Sequence, residues 1–432
     1  MNNYSLKCRG IGCLLLIALF LLCSAGCSES VGSQGEPDQI GVVSAVDQER
    51  SGLLFINEYE GGHAYRTPSG TFLVLVLRGS WTHMGRQYGG LAGEDLRLFH
   101  DRIVADLTSR GVSGDHQLAT AQELFDSLSP ELQELLKGMS ETSGLTMDEV
   151  MVLNAGVILL TDAILSDRLP GLPDDAPAGC SGIGVWDQYT EDGSVIFGRN
   201  WDIDRASMKE YMEFLSVVVL HPDDGYSYAN IHPLGNVYLE TGMNEFGLFI
   251  ELNNGAHSDP AEPADRQNTA SVLVDVLREC RDVEEAVLML KAIPADLSYI
   301  LQIADPTKAV SLERGTFDAR VRDHDDEGLV IAVNHFIPPY PPEWSAWIRP
   351  PRTDEDDPRY SNMLRLAQSP AYMGHFNLEL MQEYLMVPRE EGGAYHAGTV
   401  YQVVAVPDTL TIWLHACEYA GWEEIPLASL LG

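Results

Sequence analysis

Cys180, Arg199 and Asp202 are residue types that together can perform thiol chemistry, and they lie close to one another in the chain. The thiolate is the nucleophilic form of cysteine, and a neighbouring guanidinium favours it. A carboxylate can orient a nearby amine. Asp192-Gly193 is typical of a tight hairpin turn, which would return Arg199 and Asp202 to the side of Cys180. The alternative is that Cys180 only packs in the core, which is the commoner role of a lone cysteine.

Residues 180–204, CSGIGVWDQYTEDGSVIFGRNWDID, resemble the start of the catalytic chain in one group of N-terminal nucleophile (Ntn) cysteine hydrolases. This group contains the choloylglycine hydrolases, the acid ceramidases and the acyl-CoA:6-aminopenicillanic acid acyltransferases. Three later segments resemble the group in the same order, TGMNEFGLFIELNNG (241–255), VIAVNHF (330–336) and DPRYSNMLRL (357–366). The family residues within them fall on Asn253, Asn334 and Arg359.

The resemblance implies that the chain cleaves itself between Gly179 and Cys180. The Cys180 thiol would attack the carbonyl carbon of Gly179, and water would then hydrolyse the thioester. The new α-amino group of Cys180 has an ordinary pKa of about 7.7 to 8.0, so it can accept the thiol proton near neutral pH. One residue would therefore supply both nucleophile and base.

The resemblance also implies a role for each of the other family residues. Asp202 would hold the new amine, and Arg199 would favour the thiolate. Asn253 would donate a hydrogen bond to the oxyanion of the tetrahedral intermediate. Asn334 and Arg359 would orient the amino terminus or the substrate.

The expected activity is hydrolysis of a linear, non-peptide amide bond in a small N-acylated molecule through a thioester acyl-enzyme. Two alternatives stay open: an acyltransferase that hands the same acyl group to an amine, and an inactive, lipid-anchored binding protein on the same scaffold. A long segment precedes Cys180, unlike in bile-salt hydrolases, so bile-salt specificity is not expected. A homo-oligomer is possible.

Clusters of strand patterns with helices between them favour an α+β fold rather than alternating βαβ units. The resemblance makes this a four-layer αββα Ntn-hydrolase sandwich, with a helical α-chain segment over residues 51–179 and the catalytic chain over residues 180–432. Ser129-Pro130 predicts one helix start, and Thr146 with Glu149 predicts a capped helix over 147–165. Strands are predicted at 70–79, 214–220, 247–252, 299–303 and 330–333, helices at 271–280, 283–291 and 378–385, and a hairpin at 400–406 and 409–414.

The first 27 residues have the pattern of a signal peptide. A basic start precedes an apolar run that is too short to cross a bilayer, and Ser24-Ala25-Gly26-Cys27 resembles a bacterial lipobox. Lipidation at Cys27 would make the protein an exported lipoprotein of the cell envelope, held on the membrane by its lipid. Ordinary signal-peptide cleavage is the alternative. Residues 28–50 are polar and predict a flexible tether.

The charge of the chain excludes one class of partner. It has 64 acidic and 27 basic residues, for a formal net charge of -37. Nucleic acid is therefore not expected to bind, because a phosphate backbone needs clustered cations. The twelve histidines form no metal-binding motif, so no metal or cofactor is expected. Cys280 and Cys417 are the remaining cysteines after residue 180, and a bridge between them is possible.

Overall fold

A computed structural model of the chain describes residues 52–168, 179–255, 266–322, 324–348 and 357–432, with side chains from 165 to 168 left out. The described residues all belong to one compact unit. The predicted signal peptide and the predicted tether lie outside the described residues. No helix of the described part is long and apolar enough to cross a bilayer.

The described residues form two sheets and several helices, which we number in chain order. The strands are β1 (Leu54–Tyr59), β2 (Gly62–Arg66), β3 (Leu73–Gly79), β4 (Gly179–Val185), β5 (Ile196–Asp202), β6 (Leu215–Pro222), β7 (Tyr228–Pro233), β8 (Thr241–Asn244), β9 (Phe249–Asn254), β10 (Tyr299–Ala304), β11 (Ala309–Arg314), β12 (Ala319–Arg322), β13 (Leu329–Ala332), β14 (Thr399–Val406), β15 (Thr411–Ala416) and β16 (Ala420–Pro426). The helices are α1 (Trp81–Ser109), α2 (Gly114–Ser127), α3 (Pro130–Thr142), α4 (Met147–Arg168), α5 (Arg205–Met208), α6 (Thr269–Glu279), α7 (Val283–Ala292), α8 (Arg359–Ala367), α9 (Leu378–Leu385) and α10 (Ala428–Leu431).

The larger sheet has ten strands in the order β1-β2-β3-β6-β7-β8-β9-β10-β11-β12. The smaller sheet has six, in the order β13-β4-β5-β14-β15-β16. Neighbouring strands run antiparallel except β3 and β6, which pair in parallel from Leu73 with Ser216 to Gly79 with Pro222. The segment before Cys180 therefore contributes three strands to the larger sheet in addition to its four helices.

The two sheets pack face to face, and helices cover their outer faces. Gly182 of β4 lies against Glu251 of β9 and Gln302 of β10, at distances that leave no room for a Cβ. Helices α6 and α7 contact the larger sheet, whereas α8 and α9 contact the smaller one. Ile183 and Val185 alternate along β4 with Gly182 and Gly184, and they pack into the core beneath α8 and α9. The predicted α+β, four-layer αββα arrangement is confirmed.

Most element predictions are confirmed within a few residues. Ser129 caps α3 by accepting a hydrogen bond from Leu132 N. At the start of α4, Thr146 N donates to Glu149 and Glu149 N donates to Thr146 Oγ1, as in a capping box. The sequence did not predict the bounds of α1, β1 or β2. The predicted C-terminal hairpin forms β14 and β15, and the structure adds that β14 lies beside β5.

Candidate active site

Cys180 lies on β4, which pairs with β5 as the hairpin prediction requires. The tight turn predicted at Asp192-Gly193 is wrong, because residues 186–195 connect the two strands and include a 3-10 turn at Asp187–Tyr189. Gly179 pairs with Asp202, Cys180 with Trp201, and Gly182 with Arg199. Cys180 is 8% exposed. The antiparallel register therefore brings the arginine and the aspartate to the side of the cysteine, which confirms the predicted juxtaposition.

Arg199 connects the cysteine to the larger sheet. Its side chain is fully buried, and its Nη2 donates to Cys180 Sγ at 3.4 Å and to the Leu252 carbonyl at 3.1 Å. Its Nη1 donates to the Glu240 carbonyl and to the Thr241 hydroxyl. The guanidinium is thus fixed against the sulfur by groups on the opposite sheet.

The thiol of Cys180 is protonated at neutral pH in this environment. Burial raises the pKa of the Cys180 thiol to about 11, although the Arg199 guanidinium and the backbone N–H of Asp202 favour the thiolate. The nearby carboxylates of Asp202 and Glu240 raise the pKa further. A base beside the sulfur is therefore needed to make it a nucleophile near pH 7.

Asp202 offers a carboxylate oxygen that no described residue satisfies. The side chain is fully buried, and its Oδ2 accepts a hydrogen bond from Arg359 at 3.1 Å. Nε2 of His396 lies 3.3 Å from the same oxygen. The other oxygen, Oδ1, has no hydrogen-bond partner among the described residues. A buried carboxylate oxygen without a donor is costly, so it is a ready acceptor for a new amino group.

Arg359, at the start of α8, contacts both strands of the catalytic hairpin. Besides Asp202, its Nη1 donates to the Cys180 carbonyl at 3.3 Å. Its Nη2 donates to Asn334 Oδ1 at 2.9 Å and to Asp357 Oδ2 at 2.7 Å. Burial lowers the pKa of Arg359, but the carboxylates of Asp357 and Asp202 outweigh it and raise the pKa well above the usual value, so this arginine stays charged.

Asn334 joins this group from the end of β13. Its Nδ2 donates to the Asn254 carbonyl at 2.8 Å, and its Oδ1 accepts from Arg359. The same oxygen would lie 2.1 Å from a Cβ placed on Gly179. The structure therefore brings Cys180, Arg199, Asp202, Asn334 and Arg359 together around the Gly179–Cys180 bond.

Asn253 connects to the group indirectly. Its Nδ2 donates to Glu251 Oε1 at 2.9 Å, and Glu251 Oε2 lies 3.7 Å from Arg199 Nε. The residues on either side of it, Leu252 and Asn254, line the cavity next to Cys180. The assignment of Asn253 as oxyanion donor stays a prediction.

A cavity of about 340 Å³ opens beside Cys180 and Asp202. Its walls come from both sides of the Gly179–Cys180 bond: α2 and α4 contribute from the first segment, and β5, β9 and β10 from the second. Trp201 and Tyr238 add aromatic side chains to its lining.

Several residues at the site were not predicted from the sequence. Glu240, Glu251 and His396 lie on other strands or loops, and nothing in their local sequence marked them. Asp357 had a local signal, because it stands two residues before Arg359 in the DPR motif. Cys280 and Cys417 are both free, so the possible bridge between them is not formed. The described residues contain no group of three metal-ligating side chains.

The sequence matches a known family over residues 189–391, and the family's description is acyl-coenzyme A:6-aminopenicillanic acid acyl-transferase. The match confirms the resemblance that the motifs indicate, and it begins shortly after Cys180. A curated relative is an uncharacterized protein of Archaeoglobus fulgidus, 21% identical over 310 residues. That alignment covers 62% of this chain and 50% of the relative, so the chain spans about half the relative's length.

Solved structures to which this chain is similar include three with different names. A mutant of the conjugated bile acid hydrolase from Clostridium perfringens is 16% identical, with a TM-score of 0.43, over 59% of this chain and 94% of that one. The Caenorhabditis elegans ortholog of N-acylethanolamine-hydrolyzing acid amidase is 17% identical, with a TM-score of 0.36, over 53% and 93%. Penicillin V acylase from Agrobacterium tumefaciens is 14% identical, with a TM-score of 0.36, over 56% and 84%.

Proposed function

We propose that this chain, a relative of the acyl-coenzyme A:6-aminopenicillanic acid acyl-transferases, is an Ntn cysteine amidohydrolase that activates itself by cleavage between Gly179 and Cys180. Its substrate would be a linear, non-peptide amide of a small N-acylated molecule. The observation that carries the proposal is a buried thiol held by a guanidinium, beside a buried Asp202 carboxylate with one unsatisfied oxygen.

Self-cleavage begins with the sulfur of Cys180 adding to the carbonyl carbon of Gly179. The S–C bond forms, the C–N bond breaks, the nitrogen takes a proton, and the chain is held for a moment as a thioester. Water then hydrolyses the thioester, which leaves a carboxylate on Gly179 and restores the thiol. Close packing of Asn334 against Gly179 supports this step, because it restricts the backbone on the carbonyl side of the bond.

The new amino group on Cys180 is the base that the buried thiol lacks. Asp202 pairs with Gly179 across β4 and β5, and its Oδ1 has no hydrogen-bond partner among the described residues, which supports this oxygen as the acceptor for that amine. The neutral amine takes the thiol proton, and Arg199 stabilises the thiolate. The sulfur then attacks the substrate amide, and the leaving amine departs with a proton as the acyl-enzyme forms.

The two products of cleavage would stay together. Strand β3 of the first segment pairs with β6 of the second over seven residue pairs, and α1 packs against the same sheet. Residues on α2 and α4 also form part of the cavity wall. The first segment would thus remain as a separate α chain that helps to shape the substrate site.

Intact-mass spectrometry of the purified protein tests the proposal. We expect two fragments divided between Gly179 and Cys180, and a Cys180→Ala variant that stays whole and hydrolyses no amide. Cys280→Ala is the matched control, because Cys280 is another buried free thiol, and it should cleave and react normally. A single full-length wild-type chain, or a Cys180→Ala variant that keeps its activity, would reject the nucleophile assignment and favour a binding protein.

A panel of acyl amides with product analysis separates hydrolase from acyltransferase. Both share the acyl-enzyme, and they differ in whether water or an amine receives the acyl group. We expect free acid as the product, unchanged in yield when an external amine is added. Transfer to that amine at low concentration would assign the acyltransferase activity instead.

We also propose that the protein is an exported lipoprotein anchored through Cys27 in the cell envelope. The support is the leader, with its short apolar run and the Ser24-Ala25-Gly26-Cys27 ending. Metabolic labelling with a fatty acid in a bacterial host should mark the wild type and not a Cys27→Ala variant. Equal labelling of both, or none of either, would contradict the anchor.

A further inference from the structure

We infer that the cavity beside Cys180 selects amide substrates that carry a protonated amino group, and that Glu240 recognises this cation. The inference rests on the proposed amidohydrolase function and names its substrate class. The class is an N-acylated aliphatic diamine or an aminoacyl amide, with a few apolar carbons between the ammonium and the scissile bond.

The charge of the cavity wall is the first observation. Four carboxylates line it, and no lysine or arginine does among the described residues. The acidic lining residues are Asp162, Asp202, Glu240 and Asp296. Apart from Thr161, Asn254 and Asn268, the rest of the wall is mostly apolar or aromatic, with Val157, Ile158, Ile203, Leu252 and Tyr299 among its members. An alkyl chain that ends in an ammonium matches this pattern of apolar wall and carboxylate.

Glu240 is linked to Cys180 through Arg199. Arg199 donates to Cys180 Sγ through one nitrogen and to the Glu240 carbonyl through another. The Glu240 side chain is fixed on one side only: its Oε2 accepts from Trp201 Nε1 at 2.7 Å, and His232 Nε2 lies 3.5 Å away. The other oxygen, Oε1, receives no hydrogen bond from the described residues. The side chain remains 19% exposed.

Glu240 is also ionised throughout the physiological pH range. Burial alone would raise the pKa of Glu240, but His232, Arg199 and the Trp201 N–H outweigh it and lower the pKa to about 2. A charge that is already fixed and desolvated binds an ammonium without the cost of ordering the side chain.

Tyr238 supplies a second polar group at the same wall. It is 1% exposed, and its hydroxyl has no well-aligned hydrogen-bond partner among the described residues. Burial keeps the phenol protonated, since it raises the pKa of Tyr238 well above 10. Its oxygen can therefore accept one hydrogen bond from an ammonium, and Trp201 and Tyr299 offer aromatic rings in the same lining.

Matched pairs of probes test the inference on the self-cleaved wild type. One pair is N-acetyl-1,5-diaminopentane and N-pentylacetamide, which places the cation on the leaving amine. The other is N-butyl-5-aminopentanamide and N-butylpentanamide, which places it on the acyl group. In at least one pair we expect kcat/KM for the cationic member to exceed that for the neutral member by about tenfold to a hundredfold, as for a charge-assisted hydrogen bond.

Glu240→Gln should remove this preference by lowering kcat/KM for the cationic member more than for the neutral member, because glutamine keeps the shape and can still accept from Trp201 but carries no charge. Asp408→Asn is the matched control, since it removes one exposed carboxylate on the turn between β14 and β15 and should keep the preference. Calorimetry on the Cys180→Ala variant measures binding of the same probes without chemistry, and only the cationic members should bind.

Three results would overturn the inference. The first is equal hydrolysis of both members of each pair by a cleaved, active wild type, which leaves the proposed function intact. The second is an equal loss on both members in Glu240→Gln, which assigns Glu240 to folding or chemistry. The third is equal binding of cationic and neutral probes by the Cys180→Ala variant. A wild type that neither cleaves itself nor hydrolyses any amide contradicts the proposed function instead.

Discussion

Arg359 Nη1 lies 3.1 Å from Asp202 Oδ2, although the two residues are 157 positions apart in the chain. Both side chains are almost completely buried, and Asp357 pairs with the same guanidinium. Because Arg359 also donates to the Cys180 carbonyl, one cation holds both Cys180 and the carboxylate that is proposed to receive its amine. Pairs of this kind are sensitive to loss of one partner, since the other charge is then buried alone.

Replacing Arg359 by alanine should therefore destabilise the fold by about 3 to 5 kcal/mol, because two buried carboxylates lose their cation. Urea denaturation in the Cys180→Ala background, where the chain stays whole, measures the loss. Arg365→Ala is the control, since this exposed arginine on the same helix should change stability by less than about 0.5 kcal/mol. Equal losses in both variants would mean that the buried network adds nothing specific.

The return of β5 to the side of β4 could be predicted from the sequence because its signals are local. Asp192-Gly193 indicated that the chain turns back after Cys180, but the tight turn expected there is not formed: Val185 pairs with Ile196 across residues 186–195, and this register sets Arg199 beside Cys180. The family motifs then located Asn334 and Arg359, which no local pattern connects to the hairpin. The positions of Glu240 and His396 could not be predicted, because they depend on how the two sheets pack and on β14 entering beside β5.

Helix α1 could not be predicted from the sequence for a different reason. Its sequence contains several glycines, which weaken intrinsic helix propensity by about 1 kcal/mol each relative to alanine. In the structure, Gly85 of α1 and Gly138 of α3 allow the two helices to pack closely. A Cβ on Gly85 would lie 2.1 Å from the Leu135 carbonyl, and one on Gly138 would lie 2.1 Å from the Thr82 carbonyl. The contact between α1 and α3 thus explains why the helix forms where local propensity argues against it.

Arg199→Lys should slow alkylation of Cys180. The lysine cannot reproduce the fork that holds Sγ, so the thiol pKa should rise and the rate with iodoacetamide at pH 8 should fall by about tenfold per unit of pKa. Mass analysis of each cysteine-containing peptide measures the rate. Cys280 and Cys417 are internal controls, because both are buried free thiols outside the site and should react as in the wild type. If the alkylation rate of Cys180 is the same in Arg199→Lys as in the wild type, Arg199 does not stabilise the thiolate electrostatically.

Glu251 should make stability depend on pH. Burial raises the pKa of Glu251 to about 7, although Arg199 and the hydrogen bond from Asn253 oppose it. With an unfolded pKa near 4.5, the native state binds more protons between pH about 4.5 and 7, so this contribution to stability falls as pH rises through that window. Glu251→Gln should remove this pH dependence, so the stability of the variant relative to the wild type should increase as pH rises from 5 to 8.

Urea denaturation at pH 5, 6, 7 and 8 measures this difference. Glu424→Gln, an exposed substitution on β16, is the control and should show no such trend. If the difference in the free energy of unfolding between Glu251→Gln and the wild type is constant from pH 5 to pH 8, Glu251 has the same charge at every pH in that range.

Gly179→Ala should slow self-cleavage without preventing folding. An added Cβ would lie 2.1 Å from Asn334 Oδ1 and 3.2 Å from Arg359 Nη2, so the carbonyl that the sulfur must attack would be displaced. The uncleaved fraction in a mass time course after refolding measures the effect. Gly114→Ala is the control, because a Cβ there meets nothing within 4 Å.

In the double variant of Gly179→Ala with Asn334→Ala, the clash with the Asn334 side chain is gone, so cleavage should recover in part. Recovery would assign the defect to the clash rather than to the lost flexibility of glycine. Cleavage of Gly179→Ala at the wild-type rate would mean that Asn334 does not hold this carbonyl when the bond breaks, and the attack geometry would have to come from the Cys180 side alone.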